Sequence, residues 1–242
     1  MPSRQGRRRI GLLLPSSNTT QEFEFTRVMP DGVTLHVARL QLSTVELSAA
    51  VPRSVEDIEI ESRKLADADV DAIVLSTTVG GFANGIGYDQ ELIERIETVS
   101  SKKATTASVA LIQALGALDI KRVSIGAPWS EALNAATAAS ITASGLSVVS
   151  QSTLGCVTDL EIGLLEEQTA YDMGIAVNQA NAQAVVLACG NWSTLGIVDR
   201  LEAAIGKPVL TTNQVSLWAV LRLAAYHAPV FGWGRLLREF MV

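Results

Sequence analysis

DAIVLSTT at residues 71–78 and QAVVLACG at residues 183–190 follow one pattern, and this pair of stretches decides the fold. Each stretch has an apolar run of four residues followed by small residues, which is typical of an interior parallel strand whose last residue faces a crevice. Thr77 stands in the first copy where Cys189 stands in the second. One half of the predicted site therefore carries a hydroxyl, and the other half carries a thiol.

The repeat extends over most of the chain. RIGLLLPSSN at 9–18 resembles RVSIGAPWSE at 122–131, and TTASVALIQAL at 105–115 resembles TTNQVSLWAVL at 211–221. The three pairs of stretches are offset by 113, 112 and 106 residues, so their order and approximate spacing are kept. This pattern predicts two similar α/β units related by pseudo-symmetry.

The chain of 242 residues is long enough to bury a core in each of two such lobes. We predict an N-terminal α/β lobe at 1–117 and a C-terminal α/β lobe at 118–212. A helical segment follows at 213–242, and we expect it to pack back on the first lobe.

Predicted strands and helices alternate along the chain. The strands are expected at 10–14, 34–40, 72–76, 104–106, 122–127, 146–150, 184–188 and 208–211. The helices are expected at 19–29, 55–69, 89–100, 107–117, 130–143, 163–181, 193–205 and 214–226. Such alternation implies parallel sheets that are covered on both faces, with ligands bound beyond the carboxyl ends of the strands.

Composition excludes several classes of partner. The net charge is −6, and no basic run exceeds Arg7–Arg9, so we predict no nucleic-acid partner. The apolar run at 10–14 is too short for a signal peptide or a membrane span, so we predict no membrane partner. Two cysteines cannot form a disulfide framework, which favours a reduced, cytoplasmic location. The sequence leaves open whether the protein is a monomer or a homo-oligomer.

The predicted strand ends bring four loops to one cleft. These loops contain Ser16, Ser17 and Asn18; Thr77 and Thr78; Pro128, Trp129 and Ser130; and Cys189, Gly190 and Asn191. Within PSSNTT at 15–20, hydroxyls, an amide and backbone N–H groups could hold a carboxylate or an enolate oxygen. The same residue types also cap helices, and both roles are compatible.

Cys189 is the principal candidate for chemistry. It precedes a helix that we expect to begin at Ser193 or Thr194, and the positive end of a helix favours a thiolate. Such a thiol can donate or remove a proton at carbon, although free cysteines are also often buried for structural reasons. Cys156 follows a glycine and has no counterpart in the first unit, so we interpret it as structural.

Motifs for other chemistries are missing from the sequence. His36 and His227 have no cysteine or carboxylate cluster at metal-ligand spacing, so we predict no metal. GGFANGIG at 80–87 lacks the features of phosphate-binding and dinucleotide-binding loops, and we interpret it as a mobile loop near the site. No GxSxG nucleophile elbow occurs either.

Several stretches together resemble the aspartate/glutamate racemase superfamily, and within it the branch of arylmalonate decarboxylases and maleate cis-trans isomerases. These stretches are RIGLLLPSSNTTQE, ALGALDIKRVSIGAPWSEALN, VVLACG and RLEAAIGKPVLTTNQVSLWAVLRL, and the ending FGWGRLL is similar to that of the decarboxylase. The resemblance implies two pseudo-symmetric lobes, each with a parallel four-stranded sheet flanked by helices. It also implies a cofactor-free active site in the cleft between the lobes.

The resemblance implies a decarboxylase, because racemases and isomerases of this kind use one cysteine from each lobe. Here Thr77 takes the place of the first cysteine, and a hydroxyl is a far weaker acid than a thiol. The isomerase also needs that first thiol as its nucleophile. The implied substrate is a small substituted malonate-like dicarboxylic acid. The implied enediolate is held by donors from Ser16, Thr78 and Gly190 and is protonated by Cys189.

The resemblance implies a set of substrate-binding residues around Cys189 and Thr77. These are Pro15, Ser16, Ser17, Asn18, Thr78, Val79, Trp129, Asp159 and Gly190. Trp129 replaces a family tyrosine, and Asp159 replaces an asparagine that binds a carboxylate in the isomerases, so it would repel a second carboxylate. Two alternatives stay open, namely a maleate-type isomerase or racemase of a small carboxylic acid, and a catalytically silent binding protein for small acids.

Overall fold

The computed structural model describes residues 6–41, 54–77 and 87–242. Its first half contains β1 (Arg8–Pro15), α1 (Gln21–Val28), β2 (Val33–Leu40), α2 (Ser54–Asp67), β3 (Ala72–Leu75), α3 (Tyr88–Ser100), β4 (Lys103–Thr106) and α4 (Ala107–Ala117). Its second half contains β5 (Arg122–Ala127), α5 (Glu131–Ala143), β6 (Ser147–Thr153), α6 (Asp159–Gly163), α7 (Glu167–Val177), β7 (Ala184–Leu187), a 3-10 turn (Leu195–Ile197), α8 (Val198–Ile205), β8 (Val209–Thr211), α9 (Thr212–Leu223) and α10 (Arg235–Glu239).

The strands form two parallel four-stranded sheets with the same topology. Their orders are β2-β1-β3-β4 and β6-β5-β7-β8. Each sheet has its first and third strands at the centre, and their residues are almost entirely buried. The predicted fold class, two similar α/β lobes with a parallel sheet in each, is confirmed.

The strand registers test the repeat residue by residue. Leu13 pairs with Leu75 in the first sheet, and Gly126 pairs with Leu187 in the second, which reproduces the predicted offsets of 113 and 112. Thr77 and Cys189 each lie two residues beyond those pairs, so the two positions are equivalent.

The third predicted offset is wrong by one residue. Leu75 pairs with Thr106, whereas Leu187 pairs with Thr211, so these two threonines are equivalent and the offset is 105. Both threonines cap the following helix, because each hydroxyl accepts a hydrogen bond from the backbone N–H three residues later, at 3.2 Å. The identical residues at 105–106 and 211–212 therefore lie one position out of structural register.

The predicted helix at 163–181 is wrong, because two shorter helices occupy this region. Thr158 and Glu161 form a capping box that starts α6 at Asp159, four residues before the predicted start. A Cβ on Gly163, where α6 ends, would lie only 2.5 Å from the Thr19 hydroxyl oxygen of the other lobe. Helix α6 therefore ends at a close contact with the first lobe. The local sequence pattern does not show this contact.

The two lobes share the larger of two apolar cores, and the smaller one lies within the first lobe. The largest cluster of buried side chains includes residues from both sheets, such as Leu12 of β1 and Val186 of β7. Helix α9 packs against α4, β3 and β4, and the Trp218 indole N–H donates to the Phe240 carbonyl oxygen at 2.7 Å. The division into segments 1–117, 118–212 and 213–242 stays a prediction. In the described ranges, no helix is long and apolar enough to cross a membrane.

Candidate active site

The ends of β3 and β7 meet at one buried glutamine side chain. The Gln21 amide nitrogen donates to the Ser76 hydroxyl oxygen at 2.6 Å. The Gln21 amide oxygen lies 3.1 Å from the point that a Cβ on Gly190 would occupy. Ser76 precedes Thr77 and Gly190 follows Cys189, so the Gln21 side chain lies close to the neighbours of both predicted catalytic residues.

Cys189 is buried and adopts an unusual backbone conformation. Its residue is only 4% exposed, and its φ angle is +149°, which L-amino acids rarely adopt. Its backbone N–H donates to the Thr212 hydroxyl oxygen at 3.0 Å, which holds this conformation in place. Such strain costs of order 1–3 kcal/mol and is concentrated at functional sites.

The Cys189 thiol is a poor acid in this environment. Burial raises its pKa far above the ordinary range, and the Asp159 carboxylate raises the pKa further. The backbone N–H groups of Asn191 and Trp192 lower the pKa, but their effect is smaller. At neutral pH the side chain is therefore a protonated thiol.

The expectation that a helix terminus favours a Cys189 thiolate is wrong. The 3-10 turn begins only at Leu195, and the backbone N–H groups at its start already donate to an acceptor. Glu24 of the first lobe accepts hydrogen bonds from the Thr194 and Leu195 N–H groups at 2.7 and 2.9 Å. The positive end of this turn is thus neutralised by a carboxylate and is not directed at the thiol.

Glu24 is a residue of the site region that the sequence did not identify. It is 1% exposed, and its second carboxylate oxygen accepts a hydrogen bond from the Asn213 side-chain amide at 2.6 Å. Burial raises the pKa of Glu24, and the nearby Glu167 raises it further. In the sequence, Glu22 and Glu24 look alike, and only contact with the second lobe distinguishes them.

The PSSNTT turn holds the two lobes together as well as capping a helix. The Asn18 side-chain oxygen accepts hydrogen bonds from the Thr20 and Gln21 N–H groups at 3.0 and 2.9 Å and so caps α1. The Thr19 N–H donates to the Asn191 side-chain oxygen at 2.8 Å, and the Thr20 hydroxyl donates to the Asn191 carbonyl at 2.8 Å. The turn is thereby fixed to the loop that carries Cys189.

Asp159 is hydrogen-bonded both to the PSSNTT turn and to the loop that carries Cys189. Its residue is 7% exposed, and its carboxylate accepts a short hydrogen bond from the Ser17 hydroxyl. The Asn191 side chain donates to the Asp159 carbonyl oxygen at 2.7 Å. Burial raises the pKa of the Asp159 carboxyl, and the bonds from Ser17 and Asn191 oppose that rise. The Asp159 carboxyl therefore holds its proton up to a higher pH than an exposed aspartate does. When ionised, its negative charge raises the pKa of Cys189.

The remaining predicted substrate-binding residues differ in how they are placed. Pro15 ends β1, and the N–H of the exposed Ser16 donates to the Leu40 carbonyl at 2.7 Å. Trp129 is fully buried, and its indole N–H has no hydrogen-bond partner within the described part of the chain. Thr78, Val79 and nearly all of the predicted loop at 80–87 lie outside the described residues.

Within the described residues, no three His, Cys, Asp or Glu side chains are grouped as a metal site would require.

The family model for arylmalonate decarboxylase matches residues 10–237. The chain belongs to the arylmalonate decarboxylase family. A maleate isomerase of Pseudomonas putida is 28% identical over 244 residues, covering 95% of this chain and 96% of that protein. The arylmalonate decarboxylase of Bordetella bronchiseptica is 25% identical over 235 residues, covering 95% of this chain and 96% of that protein.

A solved structure shows the same fold with a trapped intermediate. It is a Cys-to-Ser variant of the Nocardia farcinica maleate cis-trans isomerase with a covalently bound succinylcysteine intermediate. The TM-score is 0.91 at 25% identity, and the match covers 97% of this chain and 99% of the other. The relatives of this chain thus include both a decarboxylase and maleate isomerases.

Proposed function

We propose that this protein is a cofactor-independent decarboxylase of a small substituted malonate-like dicarboxylic acid. The proposal rests on one observation. Of the two equivalent positions that follow β3 and β7, only one carries a thiol. Cys189 follows β7, and Thr77 occupies the matching place after β3. A decarboxylase needs one proton donor, whereas two-thiol chemistry needs a second acidic group, which a threonine hydroxyl does not supply.

The proposed reaction has two steps. The bond to one carboxylate breaks, CO₂ leaves, and the electron pair remains on the substrate as an enediolate. Hydrogen-bond donors from Ser16, Thr78 and Gly190 stabilise this anion. The Cys189 S–H bond then breaks as the C–H bond forms on one face of the carbon. At neutral pH the Cys189 thiol carries the proton, and its transfer stays favourable despite the raised pKa because a carbanion is a far stronger base than a thiolate.

A maleate-type isomerase is the second candidate, and sequence similarity favours it. The identity to the Pseudomonas putida maleate isomerase exceeds that to the decarboxylase, 28% against 25%. The succinylcysteine intermediate of the Nocardia isomerase requires a cysteine that attacks carbon, which is thiolate chemistry. Thr77 stands where the attacking cysteine would be, and this argues against that route in this chain.

A substrate panel separates these candidates. Substituted malonates, maleate and amino dicarboxylic acids would each be incubated with the protein in D₂O and followed by NMR. We expect a malonate to lose CO₂ and to gain deuterium at carbon, and maleate to remain unchanged. Fumarate formed from maleate, with no malonate decarboxylated, would establish the isomerase instead. Binding of an acid without any turnover would establish a silent binding protein.

The Thr77→Cys variant tests the reason for preferring one-thiol chemistry. A second thiol on the opposite face should remove and return the α-proton of the product acid, so that the product exchanges with D₂O and racemises. Wild type and the matched Thr77→Ser variant should show no such exchange during the same incubation. A folded Thr77→Cys protein without exchange would contradict the equivalence of Thr77 and Cys189.

A further inference from the structure

The chain ends of β3 and β7 are held by different side chains. After β7, the Cys189 N–H donates to the Thr212 hydroxyl oxygen at 3.0 Å. The structural offset of 105 residues at this helix start places Ala107 opposite Thr212. A methyl group cannot accept a hydrogen bond, so the end of β3 must be held in another way.

Gln21 holds the end of β3. Gln21 is fully buried at the start of α1, and its amide nitrogen donates to the Ser76 hydroxyl oxygen at 2.6 Å. Ser76 is also buried, and it directly precedes Thr77. Its counterpart in the second lobe is Ala188, because the N–H groups of both residues donate to the neighbouring central strand, at 2.8 and 2.9 Å. Alanine has no hydroxyl, so the second lobe cannot form the equivalent bond.

The amide oxygen of Gln21 faces the loop that carries Cys189. This oxygen lies 3.1 Å from the point that a Cβ on Gly190 would occupy, and the Asn213 amide oxygen lies 3.6 Å from the same point. Neither oxygen has a hydrogen-bond partner among the residues that the structure describes. The Gln21 amide group therefore contacts Ser76 through its nitrogen and packs against the Gly190 position with its oxygen.

On the basis of the proposed function, we infer that Gln21 is a positioning residue that sets the spacing between the Thr77 and Cys189 sides of the cleft. Cys189 delivers its proton to only one face of the enediolate, so the enantiomer formed depends on how the substrate is oriented. Loss of the bond between Gln21 and Ser76 frees the end of β3 and admits a second orientation, from which the same thiol protonates the other face. Displacements of about 1 Å are sufficient for large kinetic effects in enzymes.

Kinetic constants and product configuration distinguish positioning from a purely structural role. Methyl(phenyl)malonate, or whichever disubstituted malonate the wild type decarboxylates, is incubated with wild type, Gln21→Met and Ser76→Ala. Methionine has nearly the length of glutamine but no donor, and Ser76→Ala removes a single oxygen atom. We expect each variant to raise KM roughly tenfold, to change kcat by less than about threefold, and to form both enantiomers where the wild type forms one.

Two comparisons assign the effect to the hydrogen bond itself. The double variant Gln21→Met/Ser76→Ala should be no worse than either single variant, because both substitutions remove the same bond. Asn134 lies 113 residues after Gln21, which is the offset that relates β1 to β5, but its amide nitrogen donates to the Ser152 carbonyl oxygen of the edge strand β6 at 3.3 Å. Asn134→Leu should therefore keep the wild-type KM and the single enantiomer.

The role of Gln21 is overturned if Gln21→Met and Ser76→Ala keep the wild-type KM and a single enantiomer. Additive losses in the double variant, or equal losses in Asn134→Leu, would overturn it as well. Circular dichroism and urea unfolding establish that the compared variants are folded, and Ser76→Ala, the smaller change, decides the question if Gln21→Met does not fold. A wild type that decarboxylates no malonate would instead overturn the proposed function, and the positioning role with it.

Discussion

Replacement of Cys189 by alanine is expected to lower the rate of decarboxylation by roughly 10²–10⁴-fold. The variant removes the proposed proton donor but little volume, and the hydrogen bond between the Cys189 N–H and Thr212 is made by the backbone and can remain. The enediolate would then wait for a proton from water. Substrate affinity should change much less than the turnover number. The measurement is CO₂ release under saturating substrate, with affinity determined by calorimetry.

Cys156→Ala is the matched control for this loss. Cys156 is the other cysteine of the chain, is partly buried, and acts weakly on Cys189. We expect this variant to keep wild-type turnover within about threefold, because the proposed proton transfer does not pass through it. Equal loss of turnover in both variants would show that the effect of Cys189→Ala is not specific to the proton donor.

Replacement of Glu24 by alanine is expected to lower the free energy of unfolding by about 3–5 kcal/mol. The change leaves the Thr194 and Leu195 N–H groups and the Asn213 amide buried without their acceptor. Two of these groups lie in the segment that follows Cys189, and the third lies in the first turn of α9. The measurement is urea unfolding followed by tryptophan fluorescence, with turnover measured on the folded protein.

Two further variants show whether the loss arises from this buried carboxylate. Glu22 is on the same helix but is partly exposed and pairs with Arg39, so Glu22→Ala should cost at most about 1 kcal/mol. Glu24→Gln keeps one acceptor oxygen and should lose less than Glu24→Ala. Similar losses for Glu22→Ala and Glu24→Ala would contradict the interlobe role.

The contribution of Glu24 to the free energy of unfolding should fall as pH rises. Burial raises its folded-state pKa above the ordinary value, so its ionisation opposes folding. The contribution is fully present below the unfolded-state pKa, near 4.5, and is lost as pH rises through the folded-state value. The stability gap between wild type and Glu24→Gln should therefore narrow as pH rises across that window.

The fold and the equivalence of the Thr77 and Cys189 positions could be predicted, because both follow from a repeat of local sequence patterns. Apolar runs of four residues define β3 and β7, and the offsets between the two units place Thr77 opposite Cys189 without any three-dimensional information. Helix α4 was predicted at its observed limits, since the apolar run over 107–117 is bounded by a capping threonine. Strand burial and capping act over a few residues, which is the range that a sequence pattern reports.

The chemical state of the site could not be predicted, because it depends on contacts between residues far apart in the chain. Glu24 reaches the Thr194 N–H across 170 residues, and Ser17 reaches Asp159 across 142 residues. These contacts neutralise the turn that was expected to favour a thiolate and place a carboxylate near the sulfur. The predicted sign of the effect on the Cys189 pKa was therefore wrong, although the residue itself lies where the repeat placed it.

The central claim is that one thiol delivers one proton to one face of an enediolate. Its most direct test is the decarboxylation in D₂O of a malonate with two different α-substituents, such as methyl(phenyl)malonate, with the product analysed by NMR and chiral chromatography. We predict one CO₂ per product molecule, one deuterium at the α-carbon and a single enantiomer. Racemic deuterated product, or conversion of maleate to fumarate with no malonate decarboxylated, would contradict the claim.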